Sequence, residues 1–514
     1  MKRRLLLVAL LIAIITAGSC KKFLEKDPTF LVKENYYTND AEVTAALNGI
    51  YDILSQETMW GGQIPIRHNA TTDESYFSYQ TFPTGPFRNN YDPSDAYVAT
   101  LWKNLYTGIE RANTLLAKID STNMDGDKKS VMKGEALFLR GFYYFTLVQY
   151  FGDVPLKLTP TESIGEIDIA RTPAKQVYDQ IIKDMKDAES RVKTATTINN
   201  SGEISKSAVR GILSRVYLTM AGAPLHDTEK FKDALAYAKM VKESGEHSLN
   251  PDYRQIFINE CQDIEDYKEC IWEAECNGSN SDEYREGGRI GNENGVLCRA
   301  NSFSVIGYAY GFNSTTYKLF NLYSLADTRR DWAIANYTMD TAGIKKPIAT
   351  TNIYGRNCAK WRREYELVFP KNKNYTPTNF PMLRYADVLL MHAEAENEVN
   401  GATGAALESL NLVRRRAGLA DTTISDQNGL RTEIRNERAR ELCFEGLRRH
   451  DLIRWGIYIQ TMQDAADEIV TMKGPAYAAI NASNVSQRHL LYPIPLTEIQ
   501  ANPNLKQNPG YSSH

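Results

Sequence analysis

Long apolar runs are scarce in this 514-residue chain: beyond residue 17 none reaches the roughly 18 residues that a membrane-spanning helix needs. A multi-span membrane protein is thereby excluded. Charge of one sign is not in excess either, with 60 basic residues against 63 acidic ones. A strongly basic nucleic-acid surface is therefore not on offer, and no nucleic-acid partner is expected. Cysteine is rare, seven in all, with no Cys-x-x-Cys pair, and His247 is the one histidine near the 261–298 cluster. That spacing argues against structural zinc. Also missing are a glycine-rich phosphate loop, a His-Glu-x-x-His motif and a nucleophile elbow. What is plentiful is tyrosine: 30 Tyr exceed 17 Phe and 6 Trp together. Tyr joins a flat apolar face to a polar tip and suits wet binding surfaces as well as cores. The length exceeds the roughly 250–300 residues at which single cores stop growing, so more than one unit is expected.

The start of the chain reads as an address. Met1-Lys2-Arg3-Arg4 is basic, and Leu5 to Ala17 is apolar but too short to span a bilayer, the layout of a secretory signal. Ala17-Gly18-Ser19 then lead into Cys20. This resembles a bacterial lipoprotein box, with Ala17 in place of the usual Leu. The resemblance implies a signal peptide at 1–19, cleavage before Cys20 and lipidation of that cysteine. Several acyl chains anchor a protein stably, whereas one binds only marginally. Six cysteines would remain, and in an exported chain the four between 261 and 298 leave room for one disulfide.

Helical spacing dominates both ends. Leu101, Leu105, Ile109, Ala112, Leu116 and Ile119 mark one amphipathic helix. The stretch 131–150 is apolar almost all round, as in a helix buried on several sides, and Gly152 and Pro155 stop it. Thr172-Pro173 predicts an N-cap and first turn. Further helices are expected around 209–220, 231–241, 382–399, 404–417 and 430–443, with a turn or two to Trp455. The helices come in pairs with short connections, and Ala393, Ala395, Ala406 and Ala417 permit close stacking. That is tetratricopeptide-like texture in an all-α scaffold. Between 246 and 381 the periodicity fails, and 55–100 has the same irregular character; long loops are usually functional. The expected units are 20–245, an irregular loop-rich binding region at 246–381, and 382–514.

Five stretches carry a family resemblance. LWKNLYTGIERANTLL (101–116) and GEALFLRGFYYFTLVQYFGDVPL (134–156) resemble the N-terminal signature of the SusD/RagB family. LRYADVLLMHAEAENE (383–398), IRNERARELCFEGLRRHDLIRWG (434–456) and LYPIPLTEIQANPNLKQNPGY (491–511) resemble its C-terminal signature. The resemblance implies about four tetratricopeptide-like helix pairs and a non-catalytic lipoprotein of the outer membrane, lipid-anchored and facing the cell exterior. It also implies capture of a polysaccharide or oligosaccharide for a SusC-type TonB-dependent transporter. Lys21-Lys22 follow Cys20, and Glu25 and Asp27 come late for the surface-export signals common in the family.

For chemistry, Glu394, Glu396 and Glu398 suggest a carboxylate pair, but neighbouring members of the set lie about 200° apart around a helix. Arg438, Glu441 and Glu445 sit on the apolar stripe of their helix, with Arg384, Arg448, Asp451 and Arg454 as available partners; a structural network is expected. His392 reads as a satisfied core histidine. Asn123-Met124-Asp125-Gly126-Asp127 lacks the Asp at 121 and Glu at 132 that a calcium loop requires. No cofactor is expected, although a structural calcium ion in the middle region stays open. The aromatic loops are the strongest functional signal, since flat rings cover the apolar faces of sugars while polar side chains pair with their hydroxyls. The first group holds Trp60, Tyr76, Phe77, Tyr79, Phe82, Phe87, Tyr91 and Tyr97, with Asp73, Glu74, Arg88 and Asn89. The second holds Phe303, Tyr308, Tyr310, Phe312 and Tyr317, with Arg285 and Arg289. The candidate glycan contacts are Trp60, Asp73, Tyr76, Tyr79, Arg88, Tyr308 and Tyr310; Asp73, in TTDESY, matches by position an acidic binding residue of the family. Peptide or another nutrient is the alternative ligand, and a glycan-active enzyme or a protein scaffold the alternative class.

Overall fold

In the computed structural model the described residues are 37–512, apart from 164, 165, 167, 279–286 and 301–304. The leader, Cys20, Arg285 and Phe303 lie outside them. The principal helices are α1 Asp40–Ser55, α2 Ala96–Lys118, α3 Gly126–Phe151, α4 Ala174–Arg191, α5 Lys206–Ala221, α6 Lys230–Lys242 and α7 Tyr253–Gln262. After the middle region come α8 Tyr385–Asn400, α9 Gly404–Arg416, α10 Gln427–Leu442, α11 Arg448–Arg454, α12 Tyr458–Thr471 and α13 Ala476–Ser483. None of the described helices is long and apolar enough to cross a membrane.

Four antiparallel-style pairs, α1–α2, α3–α4, α5–α6 and α8–α9, stack in that order, each pair packing on the next through α2 on α3, α4 on α5 and α6 on α8. The all-α, tetratricopeptide-like scaffold is thus present, with its fourth pair delivered about 140 residues later in the chain. Side-chain caps start the helices: Asn39 accepts from the Glu42 amide, Asp95 from Tyr97 and Val98, Ser205 from Ala208, and Thr403 from Ala406. Asp125, in the loop that faintly resembled a calcium site, caps α3 through the Lys128 amide. Helix α3 is buried along nearly all of its last eighteen residues. Gly108 of α2 lies so near Tyr143 of α3 that a Cβ would stand 2.5 Å from the ring. Ala393, Ala395, Ala406 and Ala417 are fully buried, as close stacking requires.

Some expectations need correction. Thr172 does not cap α4; Pro173 is the N-cap residue and Asp153 Oδ1 accepts from the Ala174 amide at 2.7 Å. Residues 380–384 form a strand before α8 begins. Helices α1, α7, α12 and α13 went without a prediction. The open place for a disulfide in 261–298 is also closed: Cys261, Cys270, Cys298, Cys358 and Cys443 are buried thiols, and Cys276 turns its Sγ toward the Ser55 carbonyl.

The middle region carries short antiparallel sheets: β1 Ser75–Phe77 with β3 Asn313–Thr315, β2 Cys270–Ala274 with β6 Phe380–Arg384, and β4 Tyr337–Met339 with β5 Lys345–Pro347. The β2–β6 pair docks on α5.

The C-terminal signature is the ionic core. Glu441 joins Arg384 at 2.8 Å, Arg416 at 2.6 Å and Arg329 at 2.9 Å. Glu445 pairs with Arg384 and Lys360, Arg438 with Asp387 and Asp451, and Arg454 with Glu394 and Asp451. Burial penalises these charges, yet opposite charges around Glu441 outweigh that penalty and hold its carboxyl well below the usual range. Glu398 pairs with Arg431, and Glu396 accepts from Asn400 and Thr403. His392 is buried and shares a 2.9 Å hydrogen bond with Ser409.

Candidate ligand-binding surface

Strand pairing brings the two aromatic loops together. Tyr76 stands opposite Ser314 and Phe77 opposite Asn313 in the β1–β3 sheet, and the Ser78 amide continues the contact to the Phe312 carbonyl at 2.7 Å. Just before β3 the chain runs extended: Tyr310 and Phe312 donate to the carbonyls of Asn292 and Glu293, while Ala309 exchanges hydrogen bonds with Cys298. Alternate residues of extended chain share a face. Tyr308, Tyr310 and Phe312 therefore form a row, with centroid separations of 4.9 and 5.0 Å. Tyr79 stacks on Phe312 at 4.8 Å and 27°, and Phe82 meets Tyr79 edge-on at 5.7 Å. Tyr79 and Phe82 are 37% and 38% exposed, and Tyr308 and Tyr310 are partly exposed. Two loops more than 200 residues apart thus build one aromatic surface.

Charge underlies it. The Arg67 guanidinium lies 5.5 to 5.8 Å from the rings of Tyr97, Phe77, Phe312 and Phe82, while two 2.8–2.9 Å bonds hold it to Glu293. Arg88 spends its donors on the carbonyls of Phe77, Tyr79 and Phe82, which fixes the loop that presents Tyr79 and Phe82. Arg289 pairs with Glu57 and Glu293.

Of the candidate contacts, Tyr79, Tyr308 and Tyr310 meet on this surface; four others do not. Trp60 is 7% exposed, its ring tilted against Phe142 of α3 at 5.0 Å, because the turn after α1 folds it into the core. Asp73 is 2% exposed. It accepts two 2.8 Å bonds from Arg448 and pairs with Lys318 at 2.8 Å, so its oxygens are committed to the scaffold. Tyr76 is buried between Tyr354 and Tyr477 and donates its hydroxyl to the Tyr354 carbonyl. Arg88 is buried beneath the loop. These four are buried and do not lie on it. Arg299 and Lys373, which the sequence reading passed over, flank Tyr308 instead.

A cavity of about 730 Å³ lies elsewhere, lined by Asp52, Glu135, Glu273 and Glu275 among others. Glu265, Glu273 and Glu275 bring three carboxylate oxygens within 4.8 Å of one another, the one such cluster among the described residues. Burial first, then Glu265, pushes Glu273 up to about 8 and Glu275 up to about 7. Glu273 already accepts from Asn379 and Cys270, and Glu265 from Ser201 and Asn200. Protein donors satisfy this cluster, and it offers no ring face to a sugar.

Comparison with known proteins agrees with this architecture. Residues 302–511 match the family described as SusD family, and residues 22–218 match one described as "Starch-binding associating with outer membrane". The chain is 26% identical over 523 residues to SusD-like protein P2 of Formosa agariphila, covering 98% of this chain and 99% of that one. It is 33% identical over 159 residues to the starch-binding protein SusD of Bacteroides thetaiotaomicron, covering 30% of this chain and 26% of that one. The crystal structure of a SusD homologue from Bacteroides thetaiotaomicron superimposes with a TM-score of 0.86 at 30% identity, covering 93% of this chain and 98% of that one. With both signatures, the four helix pairs and a full-length structural relative in agreement, the chain belongs to the SusD family.

Proposed function

We propose that this protein is a non-catalytic lipoprotein of the outer membrane that captures a polysaccharide or oligosaccharide and passes it to a SusC-type TonB-dependent transporter. The observation that carries the reading is the group Tyr308, Tyr310, Tyr79 and Phe82, held at the surface around buried Phe312 by two loops that strand pairing brings together. Such rings stack on the C–H faces of sugars. Family membership and the starch-binding relative support the same ligand class. The ion pairs that engage Glu394 and Glu398 support a binding rather than a hydrolytic role. In this reading the leader gives a lipid anchor on Cys20 and the protein faces the cell exterior; the matched family's description supports association with the outer membrane. In this reading residues 20–245 and 382–514 form the scaffold, and 246–381 supplies most of the binding region.

Calorimetry over a panel of plant, algal, fungal and host glycans tests it. A bound glycan should lose about 2 kcal/mol of affinity on Tyr310→Ala, with the melting temperature nearly unchanged. Wild-type affinity in Tyr310→Ala and Tyr79→Ala would move the ligand off this surface, and capture of peptides alone would replace the ligand class. Cys20→Ala should shift the protein out of the outer-membrane fraction; retention there, with no acyl mass on the wild type, would remove the anchor.

A further inference from the structure

We infer that the captured glycan is anionic, carrying carboxylate or sulfate groups that dock beside Tyr308; this rests on the glycan reading above. Beneath the aromatic row the cations are neutralised one by one: Arg67 by Glu293, Arg289 by Glu57 and Glu293, and Arg363 by Glu366. At the Tyr308 end the pattern changes. Arg299 is exposed, its guanidinium donates to the Tyr308 hydroxyl, and its central carbon lies 5.6 Å from the ring centroid. Lys373 is exposed, with its ammonium 5.2 Å from the same ring. Among the described residues neither Arg299 nor Lys373 forms an ion pair with a carboxylate. Two like charges beside one ring repel each other, and an anion bound to both reverses the sign of that interaction. The chain as a whole is slightly acidic, so this local excess of cations is not a background property.

The geometry suits such a ligand. The Tyr308 carbonyl accepts from Arg363 and Asn292, which holds the residue in place while its ring and the two cations face outward together. A guanidinium fork matches a carboxylate or sulfate with two parallel hydrogen bonds, and an ammonium adds a point charge. A sugar stacked on Tyr310 would place a charged substituent of the next unit within their reach.

The test uses matched polymers with the purified protein: polygalacturonate against its methyl ester, and κ-carrageenan against its desulfated form, each by calorimetry at low and high salt. At least one charged polymer should bind roughly tenfold or more tightly than its neutral twin, and the preference should shrink with salt. The first pair reports carboxylate and the second sulfate. The double variant Arg299→Gln, Lys373→Gln should lose the preference while its melting curve stays unchanged. Equal binding within both pairs, or a preference that survives in the double variant, overturns the inference and leaves glycan capture standing. No binding to any polymer, here or in the wider panel, removes glycan capture and this inference together.

Discussion

Asp73 and Tyr310 stand in loops of similar composition, yet their surroundings assign them opposite work. Burial alone would raise the Asp73 pKa, but Arg448 and Lys318 overrule it and hold the carboxyl well below the usual range. Asp73→Ala should therefore act on stability, leaving the buried Arg448 without its main counter-charge, at a cost of roughly 3–5 kcal/mol. Trp60→Ala should cost a similar ~3–5 kcal/mol by opening a void beside Phe142. Urea unfolding measures both losses, and the folded fraction should bind ligand as the wild type does. Undiminished stability with lost binding would return either residue to the ligand. Tyr310→Ala should show the reverse pattern, since this partly exposed ring contributes less to the core than Trp60 does.

At the scale of elements, the stack depends on small residues where helices cross. Gly108 is the sharpest case, because Tyr143 occupies the place of its missing side chain and donates its hydroxyl to the Ile50 carbonyl of α1 at 2.6 Å. Gly108→Ala would gain helix propensity but force that ring aside, so a net loss of about 1–3 kcal/mol is expected. A melting temperature at or above wild type would show that α2 and α3 can part without cost. The β1–β3 pair plays the corresponding part for the surface: it is only three residues long on each side, yet it sets Tyr79 against Phe312.

Across the whole molecule, buried carboxyls give stability a pH profile with two limbs. Arg438 and Arg454 outweigh burial at Asp451 and bring its pKa down to about 2. Its contribution is present above its ordinary 3.8 and is lost as pH falls toward about 2. Glu273 acts in the other direction, raised from 4.5 to about 8 by burial and then by Glu265. Between those values the native state binds more protons than the unfolded one, so stability declines as pH rises through that window. Glu273→Gln should flatten that limb and raise stability at pH 8 by about 4 kcal/mol, with little change near pH 4. Melting curves across the range check it, and parallel profiles for variant and wild type would refute the assignment.

Local chemistry was readable without a structure. Apolar spacing in 101–119 and 209–220, the stop at Gly152 and the buried aromatic run of α3 depend on residues a few positions apart, and the helices stand where these cues lie. The charged stripe of α10 was legible as a network because charges on an apolar face must find partners. Short α13 and the three-residue strands escaped, since their stability comes from packing rather than from any period of their own. The binding loops were legible as a region and not as a residue list. Trp60, Asp73, Tyr76 and Tyr79 look alike in composition, and what separates them is contact with distant chain. Arg448, 375 residues away, claims Asp73, and Phe142 claims Trp60. Tyr79 stacks on Phe312 yet stays 37% exposed. The sequence by itself determined most of the paired helices and the family resemblance, because each is written in local patterns, while α1, half of the first pair, was not read from it. Only the tertiary structure decided which aromatics reach the surface and which cations gather at Tyr308, because burial and charge pairing are settled between residues that the chain keeps far apart.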